Sequence, residues 1–313
     1  MIYNILGKTG LKVSKIGLGT LTMGGLQKKL TKAEYLKVLS SCIEHGINLF
    51  DTAEIYQSYH IVKDAIKLKP DIIVSSKSYA YDENGAERAL NDCLKSIGRD
   101  YIDVFLMHEQ ESEHTIKGHY SALKFYLKQK KLGKIRAVGL STHKVECVRA
   151  CAKFKEIEVV HPLINYKGHG ILDGERTDME NAVKRLHDLG VGIMAMKIFG
   201  GGHLIKNCSE AFDYVLNKSY IDSIIIGMAG CAEVEFNVSK VLNLDTDVKL
   251  SELDKIKRAV HVEDHCVLCG ECKDHCPQNA ISVLNNKINI DYNKCVLCSY
   301  CANFCKELAI KVY

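Results

Sequence analysis

Through the first three-quarters of the chain, apolar residues fall into short unbroken runs, separated by longer stretches in which they recur every three or four positions. The runs "SKIGLGT" (14–20), "GINLFDTA" (46–53), "DIIVSSK" (71–77), "DVFLMH" (103–108), "IRAVGLS" (135–141), "IEVVHP" (157–162), "VGIMAMK" (191–197) and "SIIIG" (223–227) predict eight strands. They are continuous in Ile and Val rather than alternating, the pattern of parallel strands covered on both faces. Between them, "TKAEYLKVLSSCIEHG" sets Tyr35, Leu36, Leu39 and Ile43 on one helical face, and "GAERALNDCLKSIG" does the same with Leu90, Leu94 and Ile97. Both stretches end at a glycine, Gly46 and Gly98, as helices commonly do. Eight strand-then-helix units in about 250 residues predict a (β/α)8 TIM barrel. A doubly wound open sheet is the alternative, weakened because "GLGTLTMGG" lacks the G-x-G-x-x-G spacing of a dinucleotide-binding turn.

The 313 residues leave room for a second, smaller unit, and the expected division is a barrel over 1–250 and a C-terminal domain over 251–313. The 42 basic and 38 acidic side chains give a net charge of +4 without a long run of one sign, which argues against a nucleic-acid partner. No apolar run reaches the length of a membrane span, and the N-terminus lacks the order of a signal peptide. The expectation is a cytoplasmic protein without a membrane partner. In such a reducing compartment, the chain's 14 cysteines call for a metal or redox explanation rather than a disulfide framework.

In a barrel, chemistry collects at the C-terminal ends of the strands. Those ends offer Asp51, Lys77 and His108, with Tyr56 in the loop after Asp51. Each alone has a bland reading as a helix cap, a solvated lysine, a core histidine or a packed aromatic. Together they form a coherent acid–base set, because a tyrosine near pKa ~10 needs a neighbouring cation to give up a proton at neutral pH.

The segments "LGKTGLKVSKIGLGT", "NLFDTAEIY", "SSK" and "LMH" resemble the aldo/keto reductases over most of residues 1–245. The resemblance implies that Tyr56 is the general acid, that Lys77 paired with Asp51 lowers its pKa, and that His108 orients a carbonyl. It also implies hydride transfer between a nicotinamide, NAD(P)H, and a small carbonyl or alcohol substrate. On the same basis Ser141, Asn165, Gly227, Glu235 and Asn237 are expected to bind the cofactor. The likeness loosens at "AMKIFGGG", where Met196 and Lys197 replace the usual aromatic partner of the nicotinamide; Lys197 becomes a candidate ligand for a phosphate or an acidic substrate. Ala229 and Gly230 stand where a basic residue marks a preference for NADPH.

Near the C-terminus, Cys266, Cys269, Cys272 and Cys276 followed by Pro277 reproduce the C-x2-C-x2-C-x3-C-P run of bacterial ferredoxins. Cys295, Cys298, Cys301 and Cys305 repeat it, with Lys306 in place of the proline. Resemblance to the two-cluster ferredoxins implies a small α+β domain in which the fourth cysteine of each run crosses over. One 4Fe-4S cluster then takes Cys266, Cys269, Cys272 and Cys305, and the other Cys295, Cys298, Cys301 and Cys276. The whole chain resembles aldo/keto reductases that carry a C-terminal ferredoxin domain, and an external carrier such as a ferredoxin or flavodoxin is an expected partner. Two alternatives stand beside a nicotinamide-linked enzyme: a flavin or other cofactor in the barrel fed by the clusters, and a non-enzymatic electron-transfer adaptor. The six remaining cysteines read as small buried hydrophobes.

Overall fold

The computed structural model describes residues 1–27, 30–171, 173–246, 248 and 259–312. An N-terminal hairpin pairs β1 (Tyr3–Ile5) with β2 (Lys12–Ser14). The eight expected strands follow as β3 (Ile16–Gly19), β4 (Leu49–Asp51), β5 (Ile73–Ser78), β6 (Ile102–Met107), β7 (Ile135–Thr142), β8 (Val159–Pro162), β9 (Gly192–Met196) and β10 (Ser223–Gly227). They form a closed barrel in chain order, with β10 returning to pair with β3. The open-sheet alternative is thereby excluded.

Closure explains why the strands do not alternate. One face of each points inward, where Leu49, Ile73, Val104, Leu106, Ala137, Val159, Met194 and Ile225 pack on one another and on Leu6, Leu11 and Val13 of the hairpin. The hairpin therefore floors the barrel. The other face meets the helices, and that larger core takes in Phe50, Val74, Phe105 and Val138 from the strands and Leu39, Leu90, Leu94 and Ile97 from the two helices predicted above. Those helices, Lys32–Glu44 and Glu83–Ile97, begin at side-chain caps from Thr31 and Asp82. The left-handed Gly98 ends the second. Cys42, Cys93, Cys147, Cys151 and Cys208 are buried as expected, and Cys231 is half-buried.

The expected boundary between residues 250 and 251 lies outside the described residues. Beyond it, β11 (Val260–Val262) pairs with β14 (Ile310–Val312), and β12 (Ile281–Leu284) with β13 (Lys287–Ile290), both antiparallel. The cysteine repeat is also a backbone repeat. Leu268 and Leu297, Gly270 and Ser299, and Asn279 and Leu308 occupy corresponding places, and all six have positive φ. Short helices, Glu271–Asp274 and Tyr300–Asn303, follow at the same offset. The amides of Ala280 and Ala309 donate to the sulfurs of Cys276 and Cys305, at 3.3 and 3.2 Å. Each run is followed by its apolar strand, β12 or β14.

This small domain has its own core, centred on Ile281, Leu297, Ile310 and Val312. It sits on the barrel at the C-terminal ends of the strands, through the second cysteine run. The Gln27 amide donates to the Leu297 carbonyl at 3.2 Å, and the His169 ring reaches the Cys295 carbonyl at 3.2 Å. Gly201 lets the two backbones touch: a Cβ there would lie 1.9 Å from the carbonyl oxygen of Val296, and its φ of +73° already disfavours any other residue. Gly201→Val is expected to lift the small domain while leaving barrel and cysteines intact. Hydrogen exchange should then speed up at residues 295–300 and stay unchanged in β5 and β6.

Candidate functional site

The barrel brings the four expected polar residues to one mouth. Asp51 ends β4, Lys77 lies near the end of β5, His108 follows β6, and Tyr56 closes a single 3-10 turn, Glu54–Tyr56, after β4. Lys77 is buried, and its ammonium donates to Asp51 Oδ2 at 2.6 Å and to the Thr52 carbonyl at 2.7 Å. The same ammonium stands 5.0 Å from the centre of the Tyr56 ring. The Tyr56 and His108 rings meet edge to face at 5.9 Å. Burial lowers the Lys77 pKa while Asp51 opposes that shift. Burial and then the Lys77 charge push His108 well below its ordinary value, so the imidazole is neutral.

Burial first, and then the Asp51 and Glu109 carboxylates, raise the Tyr56 pKa well above its ordinary value. The phenol is held in its protonated, donating form.

A cleft of about 200 Å³ opens beside these residues. Asp51, Tyr56, His161, Met196 and Lys197 form its floor, Gly227, Glu233 and Asn237 one side, and Val296, Leu297 and Cys298 of the small domain its roof. Lys197, Gly227 and Asn237 thus line the cleft. Ser141, Asn165 and Glu235 do not: Ser141 Oγ accepts from the Glu109 amide at 2.9 Å, and the Asn165 side chain braces the loop by donating to the His169 carbonyl at 2.8 Å. Glu233, two residues before Glu235, faces the cleft and accepts from the Ala229 amide at 3.0 Å. Phe199, rather than Met196 or Lys197, supplies an aromatic ring to the wall.

Several neighbours of the site were invisible in the sequence. Tyr79 stacks on His108 at 4.5 Å and donates to Glu109 at 2.7 Å. Glu109 also stands 3.2 Å from His143 Nδ1, which in turn meets the Gln278 amide of the small domain at 2.9 Å. Tyr300, between two cysteines of the second run, reaches His108 Nε2 at 2.8 Å. Only Glu109 had a signal, its place directly after "LMH".

The eight cysteines fall into the two expected neighbourhoods. Cys272 has Cys266, Cys269 and Cys305 as electrostatic neighbours, whereas Cys301 has Cys298, Cys295 and Cys276, with Cys272 beyond them. Among the described residues no group of three or more His, Cys, Asp or Glu side chains could hold a single metal ion. The two sets of four cysteines, with amide donors to Cys276 and Cys305, have the thiolate donor chemistry that a multi-iron cluster takes. The sets differ in position: Cys269 is exposed to solvent, while Cys298 lines the cleft.

Residues 15–218 match the family model described as "Aldo/keto reductase family". The chain belongs to that family. Residues 258–306 match the model of a 4Fe-4S dicluster domain. Among curated proteins, this aldo/keto reductase is similar to L-galactose dehydrogenase of Arabidopsis thaliana, 24% identical across 82% of this chain and 94% of that one. It is also similar to aldo-keto reductase YhdN of Bacillus subtilis, 29% identical across 53% of this chain and 54% of that one. In fold it resembles a putative aldo-keto reductase from Pseudomonas aeruginosa, with a TM-score of 0.67 and 22% identity over 77% of this chain and 94% of that chain. It likewise resembles aldo-keto reductase AKR11C1 from Bacillus halodurans in its holo form, with a TM-score of 0.65 and 19% identity over 80% of this chain and 94% of that chain. These homologues make the protein an oxidoreductase. No described helix is long and apolar enough to cross a membrane.

Burial raises the Glu109 pKa to about 7, with Lys197 and Tyr79 opposing the shift. A carboxyl whose pKa is higher folded than unfolded binds more protons in the folded state, so its contribution to stability falls as pH rises through that interval. Glu109→Gln, with no charge to bury, should therefore gain stability relative to the native protein between pH 6 and pH 8. Urea denaturation at both values measures the change.

Proposed function

We propose that this aldo/keto reductase interconverts a small carbonyl compound and its alcohol at Tyr56, and that the cleft exchanges single electrons with two 4Fe-4S clusters in the C-terminal domain. The observation that carries this reading is the shared cleft: Cys298 lines it together with Asp51, Tyr56 and Lys197. A nicotinamide in the cleft would supply hydride, and the clusters would supply or accept single electrons.

The chain's own residues have definite tasks. Tyr56 holds the proton for the carbonyl oxygen on its phenol, within reach of the buried Lys77–Asp51 pair. That pair is fixed at 2.6 Å and gives the mouth a cation that cannot swing away. When the oxygen draws a proton from Tyr56, the Lys77 charge stabilises the phenolate left behind. Neutral His108, once its Nε2 is released by Tyr300, would donate a ring N–H to the same oxygen. Asn237 and Glu233 provide polar groups along the side of the cleft, and Phe199 a flat apolar one. Cys266, Cys269, Cys272 and Cys305 would hold the solvent-facing cluster, and Cys295, Cys298, Cys301 and Cys276 the one against the cleft. The exposure of Cys269 supports an external carrier, such as a ferredoxin or flavodoxin, meeting the outer set.

Anaerobic absorption spectra of the purified protein test the coupling. With an aromatic ketone present to take hydride and pass its electrons on singly, returning to the ketone as the two clusters are reduced, NADH or NADPH is expected to bleach the broad iron–sulfur absorbance. Bleaching by dithionite alone would separate the two centres, and a co-purifying yellow chromophore would favour a flavin in the cleft. Tyr56→Phe is expected to lower carbonyl turnover by about 10²- to 10⁴-fold, the range of a lost general acid. Dithionite should still bleach the clusters of that variant fully.

A further inference from the structure

The ring of Tyr300 enters the barrel mouth from the small domain. It is buried with Ala53 and Tyr56, with Leu21, Ile55 and Cys298 packed around them. It lies edge-on to Tyr79, at 6.3 Å and 77°, and to His108, at 5.8 Å and 86°. Its hydroxyl meets His108 Nε2 at 2.8 Å, and its ring packs beside Tyr56 and Tyr79. An oxygen that faces both Tyr56 and His108 stands where a carbonyl oxygen would have to stand to receive a proton from one and a hydrogen bond from the other. His108 itself is only 2% exposed and does not line the cleft, which stops at Tyr56. With Tyr300 in place, a ligand in the cleft cannot reach His108.

We propose that Tyr300 fills the substrate site, its hydroxyl in the position of the reacting oxygen and its ring in the position of the substrate's body, so that a planar aryl carbonyl compound and the docked domain compete for His108. The inference rests on the reading that Tyr56 and His108 receive the substrate oxygen. The excluded volume also defines the substrate class. The space is walled by the rings of Tyr79, Tyr56 and His108 and by the methyl group of Ala53. An aromatic ring bearing a carbonyl matches it, and a branched aliphatic or sugar-like body does not. A buried tyrosine hydroxyl usually finds some partner. What marks Tyr300 is that, of the two groups of the barrel suited to handling a carbonyl oxygen, it bonds to one, His108, and packs on the other, Tyr56. The domain that carries it packs around a core of its own, so it can withdraw as a body.

The test uses the full chain with its clusters loaded and oxidised, without nucleotide, so that nothing reduces the probe. Acetophenone binding is measured by calorimetry in the native protein and in Tyr300→Ala, whose iron–sulfur absorbance reports folding. The variant is expected to bind at least tenfold more tightly, and p-cresol, the excised side chain, is expected to displace the probe. The native protein provides a second readout that needs no variant: saturating acetophenone should raise hydrogen exchange at least threefold at residues 296–303, because the site opens only as the domain lifts. Equal affinity in the two proteins together with unchanged exchange would overturn the proposal. If binding and exchange behave as expected but no aryl ketone or aldehyde is reduced once nicotinamide is added, Tyr300 still closes the site and the carbonyl chemistry is what fails.

Discussion

Everything particular to this molecule depends on the seating of residues 296–300 in the mouth of the barrel. The approach of Gly201 to the Val296 backbone makes that seating close, and the hydrogen bond between Tyr300 and His108 gives it an orientation. Its consequences are electrostatic as well as steric. With the mouth covered, Lys77, His108 and Glu109 are taken out of water, and desolvation becomes the largest influence on the pKa of each. The charged form of Lys77 is retained through Asp51 and the Thr52 carbonyl, a buried pair that would be costly to break because it would strand one charge without its partner.

The same seating orders the two cysteine sets. One opens toward solvent at Cys269 and the other toward the cleft at Cys298, so the chain offers a direction: outside, outer set, inner set, cleft. Hydride moves two electrons at once and a 4Fe-4S cluster one, and a site that couples them needs a ligand able to take electrons in either number. Aromatic carbonyl compounds have that capacity, since the ring delocalises an unpaired electron. Tyr300 and Cys298 lie on the same short stretch of chain, so the two side chains move together.

How much of this was legible in the sequence follows from where the information lies. The eight strands could be read because each is short, continuous and bounded by a glycine or a charged residue. Asp51, Lys77, His108 and Tyr56 could be read because barrel topology gathers strand ends at one mouth. The cysteine runs carried their own spacing. Tyr300 could not be read: within "CSYC" it looks like packing between ligands, and its partner His108 is 192 residues away. Nothing in a one-dimensional pattern reports that one domain sits on the other. The raised pKa of Tyr56 escaped as well, since burial and the Asp51 and Glu109 carboxylates set it and only the folded structure brings them together. Ser141 and Asn165 were expected at the cofactor from the family resemblance; in the structure Ser141 Oγ accepts from the Glu109 amide and the Asn165 side chain donates to the His169 carbonyl.

The central claim is that barrel mouth and inner cysteine set share one environment, and Lys197 tests it most directly. It belongs to the barrel, at the end of β9, lines the cleft, and acts electrostatically on Cys295 and Cys298. Spectroelectrochemical titration of the native protein and of Lys197→Met, with clusters loaded, measures the reduction potential of each cluster. Removing the cation should lower the potential of one cluster by roughly tens of millivolts and leave the other unchanged, because a positive charge nearby favours the reduced form. Two unchanged potentials would contradict the account.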